Sequence, residues 1–146
     1  MISNILFGLY HEDFGLTPTI LLLAKSVVST DIYGYNYVQT SNSITRNEEH
    51  EKTLKKAYDN LIHYDNMIRK IENLDITENG AKKIKSYYSN AIILKTATLN
   101  QEDVDKYIAE IKKRKLTNDV EAKNIKQKIK KIILKISIKL YLKIKI

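Results

Sequence analysis

The side chains able to do chemistry gather toward the two ends of this 146-residue chain. Near the N-terminus His11, Glu12 and Asp13 stand in a row, two residues before Gly15. By themselves, adjacent carboxylates in a soluble protein are most often a solvated loop pair. Ahead of a helix, Asp13 can also help to cap it. At the other end, residues 122–146 hold nine Lys and no acid, interleaved with Ile and Leu. The chain as a whole carries +8, so residues 1–121 net −1 and the basic character belongs to the tail. His11, His50 and His63 share no ligand spacing, and no metal centre is expected. The absence of Cys excludes a disulfide framework, a thiolate zinc site and a Cys nucleophile within the chain. Neither GxGxxG nor GxxxxGK[ST] occurs, so no Gly-rich phosphate loop can be built.

The elements that must position these residues read mainly as helices, because four Gly and one Pro leave few breakers. Thr17-Pro18 is a helix start, Thr as cap and Pro at the first turn, for a short segment to about Ser26 that is apolar almost all round. Val27 to Asp31 and Tyr33 to Gln39 read as two strands about a turn, and Thr40 to Asn47 as a polar turn. From Glu48 the period becomes helical, with Leu54, Ala57, Tyr58, Leu61, Tyr64, Ile68 and Ile71 on one stripe to about Asn73. Thr77-Glu78 opens a second long helix to about Thr98. Asn100 caps a third, with Glu102 and Asp103 in its first turn and Lys112 to Lys115 at its end, both favourable to the helix dipole. The tail is expected to be one helix to about Lys143, with Ile125, Ile129, Ile132, Ile133, Ile136 and Leu140 on one face. The strict alternation from Ile136 to Ile146 also fits a strand. A strand pair beside a wholly apolar helix has nothing to pack on, so residues 1–46 are expected to be the end of another domain.

The residues Gly8-Leu9-Tyr10-His11-Glu12-Asp13-Phe14-Gly15-Leu16-Thr17-Pro18, then Tyr33-Gly34-Tyr35-Asn36-Tyr37-Val38-Gln39, then Asn42-Ser43-Ile44-Thr45-Arg46-Asn47 carry a resemblance. In type and order this stretch resembles the C-terminal half of the catalytic domain of family 2 glycosyltransferases of the GT-A fold, those that build bacterial surface polysaccharides. The resemblance implies a fold that is mostly α with a small β element: the C-terminal part of a GT-A α/β domain in residues 1–46, a helical extension over 47–116 and a basic amphipathic tail helix over 117–146. It implies transfer of a sugar with inversion from a nucleotide-sugar donor to a glycan or lipid-linked acceptor. Asp13 would be the general base within reach of the acceptor hydroxyl, and Glu12 would orient it. Arg46, whose planar fork suits phosphate oxygens, and Tyr37 would contact substrate.

The nucleotide-binding half of that family, with its Asp-x-Asp metal motif, lies ahead of such an acidic pair. Asp103-Val104-Asp105 stands far downstream of it. The divalent cation (Mg or Mn) is therefore implied for a complete enzyme and not for this chain. The chain is expected to be a fragment, inactive and unable to bind donor sugar alone, with a separately encoded N-terminal half as one possible partner.

No apolar run reaches the roughly 18 residues that span a bilayer, and no basic region precedes an apolar core at the N-terminus. A cytoplasmic protein, peripheral at the inner face of the plasma membrane, is expected. There Lys128, Lys131, Lys135 and Lys139 would contact anionic lipid. The alternatives are a final helix that packs its Ile face on the domain and a non-catalytic basic protein that binds nucleic acid. The tail has no Arg and only Tyr141 as an aromatic, which disfavours nucleic acid.

Overall fold

The computed structural model describes residues 8–32, 34, 38 and 49–145, and every regular element among them is helical. In chain order α1 spans Glu12–Leu23, α2 His50–Asn73, α3 Glu78–Lys95, α4 Gln101–Lys113, α5 Leu116–Asp119, α6 Ile125–Ile136 and α7 Ile138–Lys145. A 3-10 turn at Thr96–Thr98 ends α3.

The three central helices form where the spacing predicts them. α2 buries Ala57, Leu61, Tyr64, Met67 and Ile71; α3 buries Tyr88, Ile92 and Ile93; α4 buries Tyr107, Ile108 and Ile111. These residues recur at three and four and so stand on one helix face. They meet in one cluster, which Leu116, Val120, Leu134, Ile138 and Tyr141 complete from the later elements. Buried polar groups are tied across it. The Tyr107 hydroxyl donates to the Ala57 carbonyl at 3.1 Å, and the Tyr64 hydroxyl to Asp119 at 2.9 Å. Arg114 clasps the Asp65 carboxylate at 2.8 to 3.1 Å and also reaches Glu110. The planar guanidinium fork suits such a two-oxygen contact. Thr77 caps α3 by accepting from the Gly80 amide at 3.1 Å.

Three expectations are overturned. The α/β reading is the first: among the described residues there is no strand, so the C-terminal part of a GT-A domain is not what residues 8–32 build. Val27, Val28, Ile32 and Val38 are all exposed, Val28 to 86%. β-branched residues favour strands only when a pleated surface has something to pack against, and no element among the described residues covers them. Tyr33, Tyr35, Tyr37, Gln39 and the turn to Asn47 lie outside the described residues.

The second correction concerns the first helix. It begins at Glu12, not at Pro18, with His11 at its N-cap in the left-handed region at φ 60°. Glu12 and Asp13 therefore occupy its first turn instead of a preceding loop. Pro18 falls inside α1, where it has no N–H to offer the Phe14 carbonyl one turn back. The Tyr88 hydroxyl of α3 donates to that carbonyl at 2.5 Å, so the bond that proline removes is replaced from another helix.

The third concerns the tail. It is helical to Lys145, which removes the strand alternative for the described residues, but it is two helices and not one. Ser137 breaks it at φ −153° and ψ 117°, and its hydroxyl then accepts the Leu140 amide at 3.2 Å to start α7. Ser favours such caps over helix interiors because its side chain competes for backbone groups.

Candidate functional site

α6 begins at Asn124, whose side chain accepts from the Gln127 amide at 2.9 Å, while the Gln127 side chain accepts from the Lys123 amide at 2.6 Å. From that fixed start the side chains are dealt out every 100° or so. Leu134 faces the core and is buried, and Ile133 is half-buried. Ile125, Ile129, Ile132 and Ile136 fall within an arc of about 60° on the other side. They are 77%, 55%, 59% and 74% exposed. α6 therefore packs on the domain with the back of the helix and presents its apolar stripe outward. α7 extends the surface, with Leu140 and Ile144 exposed and Ile138 and Tyr141 buried. The reading in which the Ile face packs on the domain is overturned, because the groove available to α6 accepts Leu134 and the stripe lies opposite to it.

The four lysines expected to contact a membrane divide in two. Lys128 and Lys135 are exposed and flank the isoleucine stripe, with no ion-pair partner among the described residues. Lys126 is exposed on the other flank. Lys131 instead donates to the Asn118 carbonyl at 2.9 Å; burial, then Lys135 and Lys82, holds its pKa below the usual lysine value. Lys139 pairs with Asp105 of α4 at 2.6 Å. These two fasten the tail to the domain, and their side chains are already engaged.

At the other end of the molecule, polar groups of α2 hold the chain entering α1. Asp59 accepts the Tyr10 amide at 2.8 Å and the Lys55 ammonium at 2.7 Å, and Lys55 also donates to the Gly8 carbonyl at 3.0 Å. His63 Nε2 donates to the Tyr10 carbonyl at 2.9 Å. A Cβ on Gly15 would stand 2.4 Å from His63 Nδ1, so α1 and α2 approach this closely only because residue 15 has no side chain. Phe14 wedges between, its ring against His63, Tyr87 and Tyr88.

Glu12 and Asp13 are both exposed. Asp13 Oδ1 accepts the Phe14 amide at 2.9 Å, an end-of-helix contact, and its side chain also edges a groove of about 850 Å³. The walls are Phe14, Pro18, Leu21 and Leu22 of α1 against Ile84, Tyr87 and Ala91 of α3. His11, Asn60 and Lys95 line it as well. Burial, then Lys95, holds His11 below the usual imidazole range, against the pull of Asp13, while burial and then Lys56 lower Lys95. Arg46 and Tyr37, the expected substrate contacts, lie outside the described residues. Among those described, no three His, Asp or Glu side chains converge.

Sequence reasoning missed the groove and left the direction of the α6 stripe open between a membrane surface and the domain. One signal for the first was present: Lys56, Asn60 and His63 form a polar stripe beside the apolar one on α2, and all three are buried. Comparison with known proteins finds no matching family model, no matching curated protein and no matching solved structure.

Proposed function

We propose that this protein docks on an anionic membrane surface through α6 and α7, lying in the interface and not spanning it. The observation that carries this reading is the outward stripe Ile125, Ile129, Ile132 and Ile136 with exposed Lys126, Lys128 and Lys135 at its flanks. Such a helix sinks its apolar face to the headgroup boundary and leaves its cations among the phosphates. Each lysine near an anionic surface contributes about 1 kcal/mol. A fully buried Ile contributes about 1.5–3 kcal/mol, so the apolar term is the larger even when insertion is partial. No helix among the described residues is long and apolar enough to cross a membrane. A second copy of the same stripe is a poorer occupant, because it would set two acid-free lysine tails against each other.

The test is co-sedimentation with vesicles of phosphatidylcholine, with and without phosphatidylserine, across a salt series. Binding that needs phosphatidylserine and persists in part at high salt is the expected result. Ile129→Glu with Ile132→Glu should abolish it, while Lys126→Gln with Lys128→Gln and Lys135→Gln should weaken it and reduce its salt dependence. Absence of vesicle binding sinks the proposal. So does tight binding to duplex DNA that high salt removes while vesicles go unbound, since phosphate contacts are almost wholly screened. Glycosyl transfer remains a proposal for a complete enzyme and rests on the resemblance alone. The single helix Glu12–Leu23, with no strand beside it among the described residues, lends it no support.

A further inference from the structure

The groove between α1 and α3 has a direction. The Lys95 charge acts on His11, just ahead of α1, while Phe14 meets Tyr87 and Tyr88, so the two helices run antiparallel along it. From Lys83 to Lys95 the α3 wall is about 18 Å long. Leu21, Leu22 and Ile84 close one end, with exposed Lys83 at its rim; the other end is polar, with His11 and the Lys95 cation. Asn60 stands on the α2 face that carries Lys56 and His63, one turn from each, and both of these act on His11. It lines the groove, is 8% exposed, and its Oδ1 is buried without a hydrogen-bond partner among the described residues. A buried carbonyl oxygen without a donor costs about 1–3 kcal/mol, and a ligand hydroxyl in the groove would supply one. A volume of about 850 Å³ is within the ordinary range for small-molecule sites, which are mostly apolar with a few converging polar groups.

We infer that this groove binds a single-chain lipid whose headgroup carries both an anion and a hydroxyl. The alkyl chain lies along Phe14, Ile84 and Tyr87. The anion meets Lys95 and His11, and the hydroxyl donates to Asn60 Oδ1. The charge of the site selects the headgroup, because Lys95 is the cation at its polar end, beside the uncharged His11 imidazole, and Lys83 adds a second at the far rim, with Asp13 the only acid among the described lining residues. This inference does not depend on membrane docking by α6.

Four probes, each used below its micelle concentration, separate the parts in isothermal titration with the full chain: lysophosphatidate (anion and hydroxyl), hexadecyl phosphate (anion alone), monoacylglycerol (hydroxyl alone) and glycerol phosphate (no chain). Lysophosphatidate should bind at one site in the micromolar range. Hexadecyl phosphate and monoacylglycerol should each bind roughly tenfold more weakly, and glycerol phosphate should give no heat. Lys95→Gln should cost lysophosphatidate about tenfold and leave monoacylglycerol unchanged. Asn60→Leu, which replaces an unpaired polar group by an apolar one of similar size, should leave the fold intact and remove the preference for the hydroxyl. Ala91→Trp fills the groove and should abolish binding of all three chain-bearing probes, with helicity checked by circular dichroism. Lys126→Gln with Lys128→Gln and Lys135→Gln should change nothing here. The inference is overturned if lysophosphatidate shows no saturable site, if Lys95→Gln or Ala91→Trp leaves its affinity intact, or if the α6 variant removes it.

Discussion

α2 and α6 carry the same kind of pattern, apolar residues at three and four with Lys between, yet they turn it in opposite directions. α2 closes Ala57, Leu61, Tyr64 and Met67 into the centre, against α3 and α4. α6 commits only Leu134 fully to the same cluster and leaves four isoleucines in solvent. An amphipathic period states that a helix has an apolar face. Which surface that face meets depends on what the other elements have left uncovered. In α2 the stripe is the fold's own. In α6 it is surplus to the fold, and an exposed apolar patch rimmed by charge is the usual mark of a surface used for something else.

The largest expected effect tests this contrast directly. Ile92→Ala in the fully buried centre should lower stability by about 2–5 kcal/mol, measured by urea unfolding. Ile129→Ala on the α6 stripe should stay within about 0.5 kcal/mol of the parent while vesicle affinity drops. If Ile129→Ala unfolds the protein as readily as Ile92→Ala, the stripe is buried in solution and the contrast is wrong.

A second test sharpens the account of how α1 is held to α2. Gly15→Ala places a methyl against the His63 ring. Overpacking of this kind costs about 1–3 kcal/mol. It should appear as lowered stability together with weaker amide protection in α1, whereas equal loss across all helices would show that α1 is no separate unit.

Third, Tyr88→Phe leaves the Phe14 carbonyl without its donor and should cost about 1–2 kcal/mol. In a Pro18→Ala background the residue-18 amide can take that carbonyl, so Tyr88→Phe should then cost less. A double-mutant cycle with no coupling between the two positions would show that the hydroxyl is not replacing the bond that proline removes.

The smallest effect is a pH dependence. Burial, then Lys95, lowers the His11 pKa in the fold from its ordinary 6.5. The unfolded chain therefore binds that proton first, and the His11 contribution to stability is whole above 6.5 and declines as pH falls through that value toward the folded pKa. His11→Asn should reduce the fall in urea midpoint between about pH 8 and about pH 5. An unchanged pH profile would place His11 in water and not beside the groove.

The legible part of the fold was its local part. Thr77 as a cap, the stripe of α2, and the acids and bases at the two ends of α4 are each specified by residues within a turn or two of one another. The first strand, Val27 to Asp31, was misread because Val27 and Val28 have strand-like side chains, and only a covering layer could have made that propensity count. The start of α1 was misplaced because Thr17-Pro18 is a good opening taken alone. Nothing near it in sequence announces that a tyrosine 70 residues later, Tyr88, relieves the proline. Of the site residues, Asp13 was found as a chemically able side chain and placed in the wrong local setting. Asn60 and Lys95 were passed over because each is ordinary until α1 packs beside it.

By itself the sequence determined the helical period of α2 to α4, the acid-free cationic tail and the absence of cysteine chemistry. All of these are properties of composition or of neighbours along the chain. Tertiary structure alone decided that the first apolar segment is a helix reaching back to Glu12, that His11 and Lys95 share one end of a groove, and that the α6 stripe faces outward. The physical reason is common to the three. Helix hydrogen bonds close within four residues, so local pattern suffices to specify them. Burial depends on which surfaces remain when distant elements meet, and no window of sequence contains that.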